Sequence, residues 1–338
     1  MSRASRARRV AIAAAYGGGT VGAAGAILLG VLVGEARLAR RTVGEPTTSP
    51  PVADGRYGPA GTGAPLLLAM LGDSSGAGFG VDLAEQTPGA LLAKGLAEMT
   101  DRPVLLITAA KVGGRSEHLL DQVGAVVDHC PDVAVVMVGA NDVTHRVRPV
   151  NSVRYLSEAV RTLRKDGIEV VVGTCPDLGT VEPIAQPLRL IARRWSRMLA
   201  AAQTIAVVEA GGRSVSLGDL LGPEFAAAPR ELFSADRFHP SASGYARAAS
   251  ALLPSVAAVL GVGPDAGEEQ ELSAKRGEVV SSLPEAAAMA ASEPGTEVSG
   301  IEVAGRERGP WGRWVVLRHR IRRVTRWPTG PRREEMQR

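Results

Sequence analysis

From Leu66 onward the chain alternates two patterns of apolar and polar positions. Leu66–Leu71, Val104–Thr108, Val133–Val138, Glu169–Gly173 and Ile205–Glu209 are short, almost continuous apolar runs, the pattern of strands buried on both faces. Gly89–Met99, Glu117–Val127, Val153–Lys165, Leu188–Ala202 and Ala242–Leu260 instead repeat apolar residues at helical spacing. Strands and helices in strict alternation predict a five-stranded parallel sheet covered by helices on both faces, an α/β domain over residues 65–261. No internal repeat is present.

The ends follow a different pattern. Residues 1–41 hold Arg3, Arg6, Arg8 and Arg9, then a stretch without charge from Val10 to Gly34, then Arg37, Arg40 and Arg41. As a helix that stretch would reach about 37 Å, enough for a hydrocarbon core of about 30 Å. It is longer than the apolar part of a usual signal peptide, and no small-x-small cleavage site follows Val33. The segment is therefore read as an uncleaved signal anchor in preference to a cleaved signal peptide, which puts the domain at the cell membrane or exported, on the extracytoplasmic side. Residues 42–64, rich in Pro, Gly, Thr and Ser, read as a linker. Residues 262–300 are acidic, lack aromatic residues and read as a disordered tether. In the basic tail, 301–338, Trp314, Leu317, Ile321 and Val324 share one helical face among arginines. Two readings remain open there, a helix lying on an anionic membrane or a solvated basic tail.

Composition narrows the classes. A chain of 338 residues with 45% hydrophobic residues can bury a sizeable core. The net charge is only +4, and the basic residues crowd into the two ends, so no nucleic-acid partner is expected. Cys130 precedes one predicted strand and Cys175 follows another, at opposite edges of a parallel sheet, too far apart for a disulfide. His118, His129, His145 and His319 lack companions at metal-ligand spacing, so neither a metal nor another cofactor is expected.

The chemistry is concentrated where the predicted strands end. In an open parallel sheet, ligands bind beyond the carboxyl ends of the strands. Ser74 lies just past the first strand, Gly113-Gly114-Arg115-Ser116 past the second, Gly139-Ala140-Asn141-Asp142 past the third, and Asp236-Arg237-Phe238-His239 after the last strand. Serine becomes a nucleophile when a histidine takes its proton, and the histidine needs a carboxylate to fix its tautomer. Ser74, His239 and Asp236 supply these three groups. The backbone N–H groups of Ser74 and Gly114 and the side-chain amide of Asn141 can meet the oxyanion of a tetrahedral intermediate, glycine at 114 leaving the approach free of a Cβ. Asp73 and Asp142 read as supports of these loops. Cys175 has no histidine placed for it and reads as lining, Trp195 reads as helix packing, and Ala77, Gly78 and Gly80 suggest an open cleft for short acyl chains.

With these blocks in order, residues 65–260 resemble the SGNH (GDSL-type) hydrolases: Gly72-Asp73-Ser74-Ser75-Gly76-Ala77-Gly78, Gly114, Gly139-x-Asn141-Asp142 and Asp236-x-x-His239. Ser75 stands where the family name has leucine. The overall layout is also similar to exported GDSL esterases of actinobacteria. The resemblance implies a flavodoxin-like three-layer α/β/α fold, catalysis by Ser74, His239 and Asp236, and an oxyanion hole from Ser74, Gly114 and Asn141. The expected activity is a serine esterase or lipase acting on carboxylic acyl esters, small-molecule or lipid. An O-acyltransferase or deacetylase of envelope glycans or lipids would use the same residues, and an envelope scaffold without catalysis is the third reading.

Overall fold

The structure, a computed structural model, describes residues 26–44, 49–59 and 63–262. Helix α1 covers 26–43, and strand β1 is Gly55–Tyr57. β2 (Leu66–Gly72), β3 (Val104–Thr108), β4 (Val133–Met137), β5 (Glu169–Gly173) and β6 (Arg213–Val215) follow. The helices between and after them are α2 (Pro88–Thr100), α3 (Leu119–Val126), α4 (Ala140–Thr144), α5 (Pro149–Lys165), α6 (Leu188–Glu209), α7 (Leu217–Ala227), α8 (Pro229–Leu232) and α9 (Ala242–Val259). The sheet runs β1-β3-β2-β4-β5-β6, with β1 antiparallel and the other five parallel.

Successive strand residues face opposite sides, and the core divides accordingly. Leu68 and Met70 of β2 meet Val135, Val171 and residues of α2 and α9, such as Leu92, Leu96, Leu252 and Val256. Ala69 and Leu71 look the other way, toward Val136, Val172 and the α3, α5 and α6 residues Leu119, Leu156, Val160 and Val207. Both faces are covered, which is why the strands read as unbroken apolar runs.

Two expectations are corrected. Ile205–Glu209, predicted as a strand, is the last part of α6. Its run of β-branched residues fits either period, and Ala206 and Val207 are buried while Val208 is exposed, as one helical face requires. Gly211, at φ 83°, then breaks the chain, and the fifth parallel strand is the three-residue β6. The second correction concerns residues 42–64, predicted wholly as linker. Gly55–Tyr57 within them add an antiparallel edge strand to β3, making the sheet six-stranded. The expected anchor, Val10–Gly34, falls largely outside the described residues. Among the described residues no helix is long and apolar enough to cross a membrane. The acidic tether and all but the first residue of 262–338 lie outside them as well.

In chain order the parallel strands stand 2-1-3-4-5, so the connections diverge between β2 and β4, and a crevice opens there at the strand ends. The end of β2 is held tightly. Gly72 has φ 124°, and a Cβ there would lie 1.8 Å from the Met137 carbonyl oxygen, so only glycine fits. Gln122, buried on α3, accepts from the Gly72 N–H at 2.7 Å and donates to its carbonyl at 2.9 Å. A second buried glutamine, Gln203 on α6, accepts from Cys175 N–H at 2.7 Å and donates to the Val138 carbonyl at 3.0 Å, tying the ends of β4 and β5. Replacing Gln122 with methionine keeps the volume and leaves the Gly72 N–H without its partner. The expected loss is about 1–3 kcal/mol, read as a lower urea midpoint at unchanged slope.

Candidate active site

Ser74 follows β2 within a turn secured from both sides. Asp73 N–H donates to Met137 O at 2.9 Å, Phe79 N–H to Ser74 O at 2.9 Å, and Ala77 N–H to Asp73 O at 3.1 Å. The Asp73 carboxylate accepts from Ser75 N–H at 2.8 Å, the supporting role expected of it. Ser74 Oγ lies 2.9 Å from His239 Nε2. His239 Nδ1 lies 2.6 Å from Asp236 Oδ2, and the other oxygen of Asp236 accepts from His239 N–H at 2.9 Å, Phe238 N–H at 2.8 Å and Ser234 Oγ at 2.8 Å. The loop that makes this possible is closed by Ser234 N–H on His239 O at 2.8 Å and by a bridge between Phe233 and Pro240. Arg237 takes φ 57° inside it, and the Ser241 side chain then caps α9 by accepting from Gly244 N–H at 3.2 Å. A hydroxyl, an imidazole and a carboxylate joined in this order form an arrangement through which a serine proton can be withdrawn.

Two aromatic rings hold the imidazole. Phe79 lies 4.6 Å and Phe238 4.9 Å from its ring centre. Phe79 is in turn fixed by Tyr245 of α9, whose hydroxyl donates to Phe79 O at 2.7 Å. Burial pushes the Tyr245 phenol well above its ordinary value, so it stays a donor. Neither Phe79, Tyr245 nor the two glutamines carries a sequence signal of its role. Each is an ordinary core residue type until the fold places it.

Gly114 and Asn141 also reach this edge. A Cβ on Gly114 would meet Gly72 O at 2.7 Å and come within 3.2 Å of Asp73 Cα, whereas Gly113 has open space around it at φ 76°. Gly114 is thus the member of the pair beside the serine turn, and its lack of a side chain serves packing against that turn. Asn141, in the first turn of α4, donates to Gly114 O at 3.0 Å. The Gly114 N–H donates to Lys111 O at 2.9 Å, so in this structure it is engaged within its own turn. The Ser74 N–H takes no partner among the described residues. Asp142 holds the 114–116 loop by accepting from Ser116 N–H at 3.3 Å and Ser116 Oγ at 2.8 Å, the hydroxyl also meeting Ser152 Oγ at 2.9 Å.

The carboxyl groups differ electrostatically. Burial pushes Asp73 up to about 6 against the opposing Ser75 bond. Burial also raises Asp142, against its bonds from Ser116. Burial pushes Asp236 the same way, but hydrogen bonds from the His239 ring and from the N–H groups of Phe238 and His239 together outweigh it and hold this carboxyl at about 2. Asp236 is therefore ionised beside the imidazole. Both cysteines are free thiols, Cys130 exposed and Cys175 buried. Burial holds the Cys175 thiol well above its ordinary value, and its Sγ packs against Gly139, so it offers no thiolate. No group of His, Cys, Asp and Glu among the described residues could hold a metal ion.

Other expectations are met differently. Ala77 and Gly78 are buried, Gly78 packs against Thr87, and Gly80 packs against His239 and Pro240, so these small residues serve close packing of the turn. Trp195 is 44% exposed on α6 instead of packed in the core. A cavity of about 80 Å³ adjoins the site, between the ends of β4 and β5 and helix α7. Met137, Leu178, Leu217, Phe225 and Phe233 make it apolar, and its wall includes Asp73, Ser75, Phe238 and Pro240, the chain neighbours of Ser74 and His239 but not those two residues.

Residues 70–247 match the GDSL-like Lipase/Acylhydrolase family. The GDSL-like esterase Rv1075c of Mycobacterium tuberculosis (strain ATCC 25618 / H37Rv) is 45% identical over 261 residues, 72% of this chain and 82% of the relative. Among solved structures, the lipase/acylhydrolase from Enterococcus faecalis aligns with a TM-score of 0.47 at 18% identity, over 59% of this chain and 98% of that one. TesA aligns with a TM-score of 0.48 at 21% identity, over 57% of this chain and 99% of that one. With the family match spanning the strand-end residues from Ser74 to His239, and a relative alike over most of both chains, the chain belongs to the GDSL-like lipase/acylhydrolase family and is a serine esterase/lipase of that family.

Proposed function

We propose that the protein hydrolyses carboxylic acyl esters through an acyl-enzyme on Ser74. The observation that carries this reading is the continuous relay from Ser74 Oγ through His239 to Asp236, at 2.9 and 2.6 Å. Ser74 Oγ attacks the ester carbonyl as His239 Nε2 takes its proton. Asp236 orients the ring through Nδ1 and stabilises the imidazolium, which then protonates the departing alcohol. Water, deprotonated by the same nitrogen, releases the acid. The oxyanion is met by the Ser74 N–H and the Asn141 amide, with the Gly114 N–H as third donor once it turns from Lys111 O or is shared with it.

The acyl group is assigned to the neighbouring cavity. About 80 Å³ compares with roughly 10–15 Å³ for a cavity that just holds one water, so a short acyl chain fits. The uncharged run Val10–Gly34 supports a membrane-tethered domain on the extracytoplasmic side.

The central test is turnover of p-nitrophenyl acetate. Ser74→Ala is expected to lower kcat by roughly 10⁴-fold or more with the fold intact, and a fluorophosphonate probe should label only the parent protein. Equal turnover by the two proteins would refute the mechanism. For the acyl site, Gly222 lines the cavity from α7, and a Cβ there would sit 3.6 Å from Asp177 Cβ, an ordinary contact. Gly222→Leu should lower the butyrate-to-acetate ratio of kcat/KM by roughly tenfold. An unchanged ratio would move the acyl chain elsewhere.

Stability against pH tests the two carboxyl environments. Asp236, held at about 2, contributes stability above its unfolded value of about 4, and that contribution is lost as pH falls from about 4 to 2. Asp73, raised to about 6, acts in the opposite sense: its contribution is full below about 4 and is lost as pH rises through about 6. Urea midpoints of Asp73→Asn should therefore fall less than those of the parent between pH 4 and 6. Parallel curves over that interval would contradict a buried, poorly solvated Asp73.

A further inference from the structure

The first half of α6 carries a residue pattern that neither its folding nor the active site requires. It holds Arg189, Arg193, Arg194 and Arg197, and no carboxylate occurs on the helix before Glu209. Cations in the first turn of a helix oppose its dipole, which here touches only Arg189, the second residue. Arg193 and Arg197 are accounted for by the buried Asp177, at 3.4 and 3.0 Å, and Arg189 by the carbonyl oxygens of Glu182 and Ile184. Arg194 is exposed and has no ion-pair partner among the described residues. Around it stand three large apolar side chains turned to solvent, Leu190, Trp195 and Met198, at 64%, 44% and 52% exposure. At about 100° per residue, Leu190, Arg194, Arg197, Met198 and Ala201 form one face, with Trp195 at its margin, and all six are exposed. An apolar face containing tryptophan, interleaved with arginines and free of acidic residues, has the composition of a helix at an anionic lipid surface.

The position of α6 points to the same occupant. Glu35 of α1 accepts from the N–H of Leu188, the first residue of α6, at 2.9 Å, and Ala39 packs on the cluster that contains Cys175, Leu178 and Ala192. The uncharged stretch that begins at Val10 ends at Gly34, directly before this contact. Its last residues on α1, among them Ile27, Leu28, Leu29 and Val31, are exposed apolar side chains. The longest uncharged segment of the chain therefore joins the domain one hydrogen bond away from the start of α6. A lipid medium that takes up that segment would lie close to the start of α6.

We propose that the outer face of α6 rests on an anionic bilayer, with Leu190, Trp195 and Met198 in the interface and Arg194 against lipid headgroups. The consequence reaches the substrate. Ser196 Oγ of α6 accepts from Leu178 N–H at 3.2 Å and Arg197 holds Asp177, so the loop that lines the acyl cavity is anchored on the same helix. A lipid-seated α6 presents that cavity to esters arriving from the membrane. The proposal does not depend on which residue is the nucleophile.

The test uses the full chain with its exposed thiol removed (Cys130→Ser) and an environment-sensitive fluorophore, nitrobenzoxadiazole, placed at Met198→Cys. The control label is at Met99→Cys, 44% exposed on α2 at the opposite face of the sheet. With vesicles of phosphatidylserine and phosphatidylcholine, the emission at 198 should shift to the blue and be quenched by brominated acyl chains, while that at 99 should not. Arg194→Glu should lower the docked-to-free ratio at 198 by roughly an order of magnitude. Emission at 198 that ignores vesicles, an equal response at 99, or indifference to Arg194→Glu would overturn the proposal. So would a blue-shifted 198 label before lipid is added, which would mean that the chain's own residues or a second copy covers the face.

Discussion

The site depends on how closely β2 and β4 approach at their carboxyl ends. There Gly72 presses its backbone against Met137 with no room for a side chain, and the two strands part immediately afterwards. Ser74 emerges from that contact, Asn141 from the end of the neighbouring strand, and Gly114 is packed on the Gly72 carbonyl from the third side. Because the crevice lies where the sheet connections diverge, nothing in the sheet fills it. The two buried glutamines fix its floor: each satisfies backbone groups at a strand end that have no ladder partner, so the loops above start from a rigid base.

The distribution of charge around this crevice separates two kinds of carboxyl group. Asp73 and Asp142 are nearly solvent-free and brace turns through N–H and O–H donors, and their burial raises them. Asp236 is surrounded by four donors, counting the histidine ring, and stays ionised because those bonds outweigh its partial burial. A carboxylate that is both ionised and immobile is what an imidazole needs if it is to accept a proton at its far nitrogen. The rings of Phe79 and Phe238 add what hydrogen bonds do not, a lateral restraint on the imidazole plane.

Much of this was legible in the sequence, for identifiable reasons. Doubly covered parallel strands must be continuously apolar, so β2 to β5 announce themselves, and chemistry in such a sheet must follow strand ends, which made Ser74, Asn141 and His239 stand out. What failed was local ambiguity. Ile205–Glu209 is as good a helix end as a strand, and β6, three residues with arginine and serine in it, has too little pattern to compete. β1 hid in a segment of turn-forming composition because an edge strand of three residues needs only one partner, β3. Gln122, Gln203 and Tyr245 could not be singled out, since their function is a tertiary contact with backbone atoms far away in sequence. Gly114 was singled out for a free approach to substrate, and its packing against the serine turn is a further contact that the spacing did not announce.

Helix α6, the longest among the described residues, shows how one element can meet constraints that conflict locally. The inner side of α6 carries Leu199, Gln203 and Val207 into the core and fastens β4, β5 and the cavity loop. Its outer side concentrates arginine and large apolar side chains where water disfavours apolar surface. Arg193 and Arg197 pair with Asp177, which in turn lines the cavity beside the site. A face whose composition is unfavourable in water, joined to the cavity wall through its own side chains, makes physical sense if its medium is not water alone. The same helix then shapes the pocket from inside and orients it from outside.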